Sequence, residues 1–137
     1  MENYGVLIPA DGLFAQAVEA NEGEKVMDYA CRVIGCDLVD VPRTSLSEEY
    51  CMFVDDEGLL TENPRPNMIA SYLYGFCEHG QSIVGNAVVL RDIETDDGCD
   101  STFMSKEEAE RLAEELNGQV KPIFVKICRY VQRGAMY

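Results

Sequence analysis

Residues 82–91 read SIVGNAVVLR, a β-rich run broken only at Gly85 and Asn86. It reads as a strand whose interior glycine marks a bulge or the close approach of another backbone. The apolar core of the run, Ile83 to Leu90, falls far short of the roughly 20 residues a helix needs to cross a bilayer, so it belongs to a protein interior. Shorter runs of the same kind precede it: Tyr4 to Ile8, ended by Pro9 and an Asp11-Gly12 turn; Asp37 to Val41, stopped by Pro42; and Tyr50 to Val54, which enters the polar turn Asp55-Asp56-Glu57-Gly58. Leu13 to Glu19 reads as the returning arm of a hairpin with the first strand, despite its helix-favouring Ala and Gln.

Helical spacing appears between these runs. Asn21 and Glu24 stand as capping residues before Val26, Met27, Ala30, Val33 and Ile34, which share one face, and Gly35 closes the element. Pro64 and Pro66 enforce an extended loop before a short helix over Met68 to Phe76. Asp92 to Asp100 reads as a turn or loop. Ser105 and Glu108 form a capping box for a helix with Ala109, Leu112, Ala113 and Leu116 on one face, ended by Asn117-Gly118. Gln119 to Val131 returns to β-branched and aromatic residues and reads as a last strand, with Pro122 at its edge. The order β-β-α-β-β-α-β-α-β, with most links too short for parallel crossovers, predicts one α+β domain over the 137 residues. Its expected form is a mainly antiparallel sheet with about three helices packed on one face.

Charge is segregated along this domain. All 25 acidic residues lie within residues 1–116 with 7 of the 11 bases, a net of −18, while residues 117–137 carry the remaining 4 bases and no acid. Such a chain is repelled by nucleic acid over most of its surface and attracted to basic protein, and an acidic surface can imitate a phosphate backbone. Lys121, Lys126, Arg129 and Arg133, interleaved with Phe124 and Tyr130, read first as an internal counterweight to the acids and only second as an anion-contacting stripe. The N-terminal residues MENYGVLIPADG lack the basic n-region of a secretory signal, so a cytoplasmic setting is expected.

Candidate chemistry is sparse. The carboxylates Asp92, Glu94, Asp96, Asp97 and Asp100 alternate as calcium ligands do, but an EF-hand register begun at Asp92 puts Asp97 where glycine is needed and Phe103 where a bidentate Glu is needed. With Asp55, Asp56 and Glu57 they read as solvated, partner-facing acids. Six cysteines read as free thiols: Cys31 and Cys36 are separated by four residues with no second ligand pair following, and Cys77-Glu78-His79 leaves one residue between potential ligands. His79 is the sole histidine and reads as a loop residue; a base for nucleophilic catalysis would require it to meet Cys51 or Cys128 in space. No glycine-rich phosphate loop is present. The expectation is therefore no catalytic residue, no metal and no cofactor. Asn63, Asn67, Gly85 and Asn86 mark the one place where polar side chains beside an open backbone suit a small-ligand pocket.

The stretch CMFVDDEGLL from Cys51, followed by Asn63, Pro64 and Asn67 and then SIVGNAVVL from Ser82, resembles the family called domain of unknown function 3846. The shared pattern is a strand ending in an acidic D-E-G-x-L turn, an Asn/Pro segment and a hydrophobic strand. The similarity covers residues 4–117 and leaves the basic strand-like segment 118–137 outside it. The resemblance implies a setting in phages, conjugative elements and their bacterial hosts, with no reaction attached. Taken with the charge, it implies an accessory protein in the host cytoplasm that binds a basic host protein and contacts neither nucleic acid nor membrane directly. The expected partner is a nucleic-acid-binding defence enzyme of the CRISPR or restriction kind, inhibited by DNA mimicry. Sequestration of a metabolite or signalling nucleotide is the alternative, and hydrolysis ranks last.

Overall fold

The computed structural model describes residues 3–10, 14–42, 44, 46, 49–56, 66–74, 83–95 and 98–119. In chain order these form β1 (Tyr4–Ile8), β2 (Gln16–Glu19), α1 (Val26–Ile34), β3 (Val39–Asp40), β4 (Tyr50–Asp55), α2 (Met68–Tyr74), β5 (Ala87–Thr95), β6 (Gly98–Thr102) and α3 (Lys106–Gly118). The strands make one six-stranded sheet in the order β2-β1-β5-β4-β3, with β6 paired to β5. Every described pairing is antiparallel. The α+β class expected from the sequence is the class observed.

The 82–91 run occupies the middle of this sheet, although the regular strand starts only after Gly85, whose φ of 86° lies in the left-handed region. Val84 forms an isolated bridge with Pro66 just before it. From Ala87 to Val89, β5 is flanked by β1 on one side and by β4 on the other. Its consecutive residues point alternately into two different cores. Val6, Ile8, Met52, Val54, Ala87 and Val89 pack with Ile69, Ala70 and Leu73 of α2 and with Ala109, Leu112, Ala113 and Leu116 of α3. Phe53, Val88 and Leu90 pack with Tyr29, Ala30 and Ile34 of α1.

The helices therefore do not share one face as expected: α2 and α3 cover one side of the sheet and α1 the other. The physical reason stands in the quoted run itself. An unbroken Ala-Val-Val-Leu, without a polar residue at every second position, can only be satisfied by a strand buried on both faces.

Two other elements differ from the sequence reading. Asp92 to Asp100 is not an irregular loop; β5 continues to Thr95 and turns back as β6, with Arg91 opposite Thr102 and Thr95 opposite Gly98. This register sets Asp92 against Ser101, Ile93 against Asp100 and Glu94 against Cys99, so no two carboxylates in the ladder are directly opposed. In α1, Asn21 and Glu24 close a separate turn through Glu24 N–H to Asn21 O (3.0 Å) and Asn21 N–H to Glu24 Oε1 (2.9 Å), and the helix starts later, at Val26. Its buried face is centred on Tyr29, while Met27 is 53% exposed. By contrast, α3 follows its sequence signals throughout: Ser105 Oγ accepts the Glu108 N–H at 3.1 Å, and Ala109, Leu112, Ala113 and Leu116 are buried.

Candidate functional site

Acidic residues outnumber basic ones 25 to 11, and the sheet decides where those on its strands stand. Asp55 ends β4 opposite Val39, and the Asp56 N–H donates to Leu38 O (3.1 Å), so this acidic turn lies beside the β3 edge. Asp92 lies on β5 and Asp100, exposed, on β6. Because Val54 pairs with Ala87 and Tyr50 with Arg91, Asp55 and Asp92 sit at opposite ends of the central strands, roughly 20 Å apart at about 3.3 Å per residue. The two acidic clusters grouped by sequence are thus two separate places. Glu57, Asp96, Asp97 and the side chain of Glu94 lie outside the described residues, as do His79, Asn63 and the basic segment from residue 120.

A third acidic feature belongs to α3. Glu107, Glu110, Glu114 and Glu115 are exposed on the helix surface turned away from the core. At 1.5 Å rise per residue, Glu107, Glu110 and Glu114 form one row with axial steps of about 4.5 and 6 Å. On the same helix, Glu108 is drawn inward: its Oε1 lies 3.5 Å from Arg91 Nε and accepts from the Tyr50 hydroxyl at 3.4 Å. Burial, then Glu108 beside it, pushes the Tyr50 phenol above its ordinary range. Across the sheet, Glu24 is held below the carboxylate range by its hydrogen bond from Arg32 (2.8 Å).

The residues proposed as a ligand pocket are tied into the scaffold. Asn67 is fully buried; its amide group donates to Ile8 O (2.7 Å) and Gly85 O (3.0 Å), and its oxygen accepts from Ala70 N–H (3.1 Å). It thereby caps α2 and clamps that helix to the end of β1 and to the turn before β5. The Asn86 oxygen accepts from Ala10 N–H at 2.9 Å. Ser71 completes the joint, accepting from Ile83 N–H (2.8 Å) and donating to Ile83 O (3.2 Å). Both N–H groups and the oxygen that Asn67 would offer a ligand are engaged within the protein.

Sequence reasoning passed over the tertiary roles of two residues, Tyr29 and Asn117, that the structure makes central. The Tyr29 hydroxyl accepts from Gly5 N–H (3.1 Å) and donates to Val18 O (2.6 Å), linking two groups that face each other across β1 and β2. Burial pushes this phenol up to about 12. Asn117 accepts from Ala15 N–H (2.7 Å) and donates to Ala15 O (3.0 Å), binding the end of α3 to the start of β2. A glycine inside the first strand was the available signal for the Tyr29 contact, since it marks a close approach. Nothing local marks Ala15 as the partner of Asn117, 102 residues away.

Two of the described thiols are raised by their surroundings. Cys51, hydrogen-bonded to Ser101 (3.3 Å), is raised by burial, and Cys36 is raised to about 11, first by burial and then by the Asp55 carboxylate. Among the described residues, no group of three His, Cys, Asp or Glu side chains is placed to hold a metal ion, and no helix is long and apolar enough to cross a membrane.

The fold and its surface define an acidic α+β domain with an antiparallel sheet covered on both sides. The family model described as Domain of unknown function (DUF3846) matches residues 5–117, and the chain belongs to this family. No curated protein and no solved structure matches the chain.

Proposed function

We propose that this protein is a phage or mobile-element accessory protein that binds a basic, nucleic-acid-binding host protein and inhibits it without catalysis. The target class is a defence enzyme of the CRISPR or restriction kind, and the mode is occupation of a channel built for DNA or RNA. The observation that carries the reading is the net charge of −18 over residues 1–116. The exposed row Glu107, Glu110 and Glu114 on α3 supports it as a line of negative charge on a rigid rod, sparser at about 5 Å per carboxylate than the one phosphate per about 3.4 Å of a DNA strand and with the exposed base Arg111 among the acids. A rigid helix presents that row without an ordering cost at binding.

The test is retention from host lysate on the immobilised protein, followed by challenge. A nucleic-acid-binding protein should be retained at low salt, released by duplex DNA in excess and by raised salt, and lost when Glu107→Lys, Glu110→Lys and Glu114→Lys are combined. Absence of any basic partner at low salt sinks the reading. So does a partner whose retention ignores both DNA and salt.

A further inference from the structure

At the C-terminal end of α1, Gly35 (φ 85°) and Cys36 both direct their backbone N–H groups at Cys31 O, at 2.8 and 3.0 Å. The bond from Cys36 is the six-to-one closure of a Schellman motif and the bond from Gly35 the five-to-one bond of the simpler left-handed cap; at such an end the residue three positions inside the helix and the second residue beyond it are neighbours whose side chains frequently meet. Here those two side chains are Cys31 and Cys36. The Cys31 thiol donates to Asp37 O at 3.7 Å, and Cys31 stands close enough to the Cys36 thiol to help raise it. Both thiols are free and half-buried, hence within reach of a small oxidant.

We propose that Cys31 and Cys36 form a dithiol/disulfide couple that an oxidant of the disulfide class, such as oxidised glutathione, closes into an intramolecular bridge across the end of α1. The Cys31 thiolate attacks one sulfur of the oxidant, forming a mixed disulfide and expelling one small thiolate, which takes up a proton. The Cys36 thiolate then attacks Cys31 Sγ, forming the Sγ–Sγ bond and expelling the second small thiolate, which is also protonated. Two protein thiols lose two electrons and two protons, and the oxidant leaves as two thiols. Burial and the neighbouring Asp55 carboxylate raise the Cys36 thiol, so it attacks second, giving up its proton to solvent once the adjacent mixed disulfide presents a sulfur to it.

The bridge joins the same two residues that the backbone hydrogen bond already joins, so it preserves the helix end rather than bending it. It removes the Cys31 contact to Asp37 O and ties down the link between α1 and β3, the edge strand. In a reducing cytosol such a bridge is transient, which is the behaviour of a redox sensor. This assignment stands on the helix end alone and does not depend on the partner proposed above.

The full chain is to be equilibrated in glutathione buffers of rising oxidised fraction, alkylated, and digested with trypsin without reduction. Cleavage after Lys25, Arg32 and Arg43 separates the two cysteines, so the bridge appears as peptide 26–32 covalently joined to peptide 33–43. The melting temperature of the oxidised chain should rise by on the order of 5 °C. Cys31→Ser and Cys36→Ser, each checked for an unchanged circular-dichroism spectrum when reduced, should lose both the joined peptide and the rise. Mixed disulfides with glutathione at both positions, or linkage of either residue to another cysteine, overturns the assignment, and the wild-type peptide map decides this even if a variant fails to fold.

Discussion

Tyr29 shows how much one buried hydroxyl organises. A Cβ added at Gly5 would stand 2.8 Å from Tyr29 Oη and 3.0 Å from Leu90 Cδ2, and the fully buried ring has nowhere to move. Gly5→Ala should cost about 1–3 kcal/mol of unfolding free energy by overpacking, read from urea titration. Tyr29→Phe keeps the ring but strands Gly5 N–H and Val18 O, a loss of about 1–3 kcal/mol. The same hydroxyl gives the protein an alkaline limit. Unfolded, the phenol deprotonates at its ordinary value of 10.0; folded, it holds its proton up to about 12. The folded state thus binds more protons between these values, so the stabilisation is complete below pH 10 and is lost as pH rises toward 12. Cys36, raised from 9.0 to about 11, starts a similar loss from pH 9. In Tyr29→Phe the decline above pH 10 should be visibly shallower; an unchanged slope would assign it elsewhere. Asn67 is the counterpart at the other end of β1, and Asn67→Ala, which orphans Ile8 O, Gly85 O and Ala70 N–H together, should cost about 3 kcal/mol or more. Neither fastening was legible in full beforehand, because the bonds to Gly5, Val18, Ile8 and Gly85 join groups 11 to 59 residues apart in the chain; Asn67 looked like a ligand donor only because sequence does not reveal what already occupies it.

At the scale of elements, local signals succeeded where the element's own chain satisfies them. The Ser105–Glu108 cap and the spacing of Ala109, Leu112, Ala113 and Leu116 give α3 in full, and Ser105→Ala should lower stability by about 1 kcal/mol in thermal or urea unfolding. A loss well below a few tenths would mean that packing on the sheet alone sets the helix start. Local signals failed where pairing decides. Asp92, Glu94 and Asp100 looked like part of a solvated loop, yet the β5–β6 register sets them against Ser101, Cys99 and Ile93, so that no two of them are directly opposed. The start of α1 was misplaced for the same kind of reason: Glu24 answers Asn21 within a turn and leaves Lys25 at the helix cap with no side-chain bond.

Across the whole molecule, charge and layering are separate outcomes. A net charge of −14 repels itself in the compact state more than in the expanded one, so the urea midpoint should rise as sodium chloride goes from about 0.02 M to about 0.5 M, with a gain in unfolding free energy on the order of 1 kcal/mol. A flat or falling midpoint would mean that the acids are already neutralised internally. The sequence by itself determined the α+β class, the family, the strands around the 82–91 run, the last helix and the acidic character, since each rests on short-range pattern or on composition. Only the tertiary structure decided that the sheet is covered on both faces, that the acids fall at the β3 edge, on the β5–β6 hairpin and along α3 instead of in one cluster, and that Asn67 and Tyr29 are fasteners. Periodicity tells a residue which neighbours share its face; which layer covers that face, and which distant backbone group a buried side chain meets, is fixed only when the strands choose their order and register.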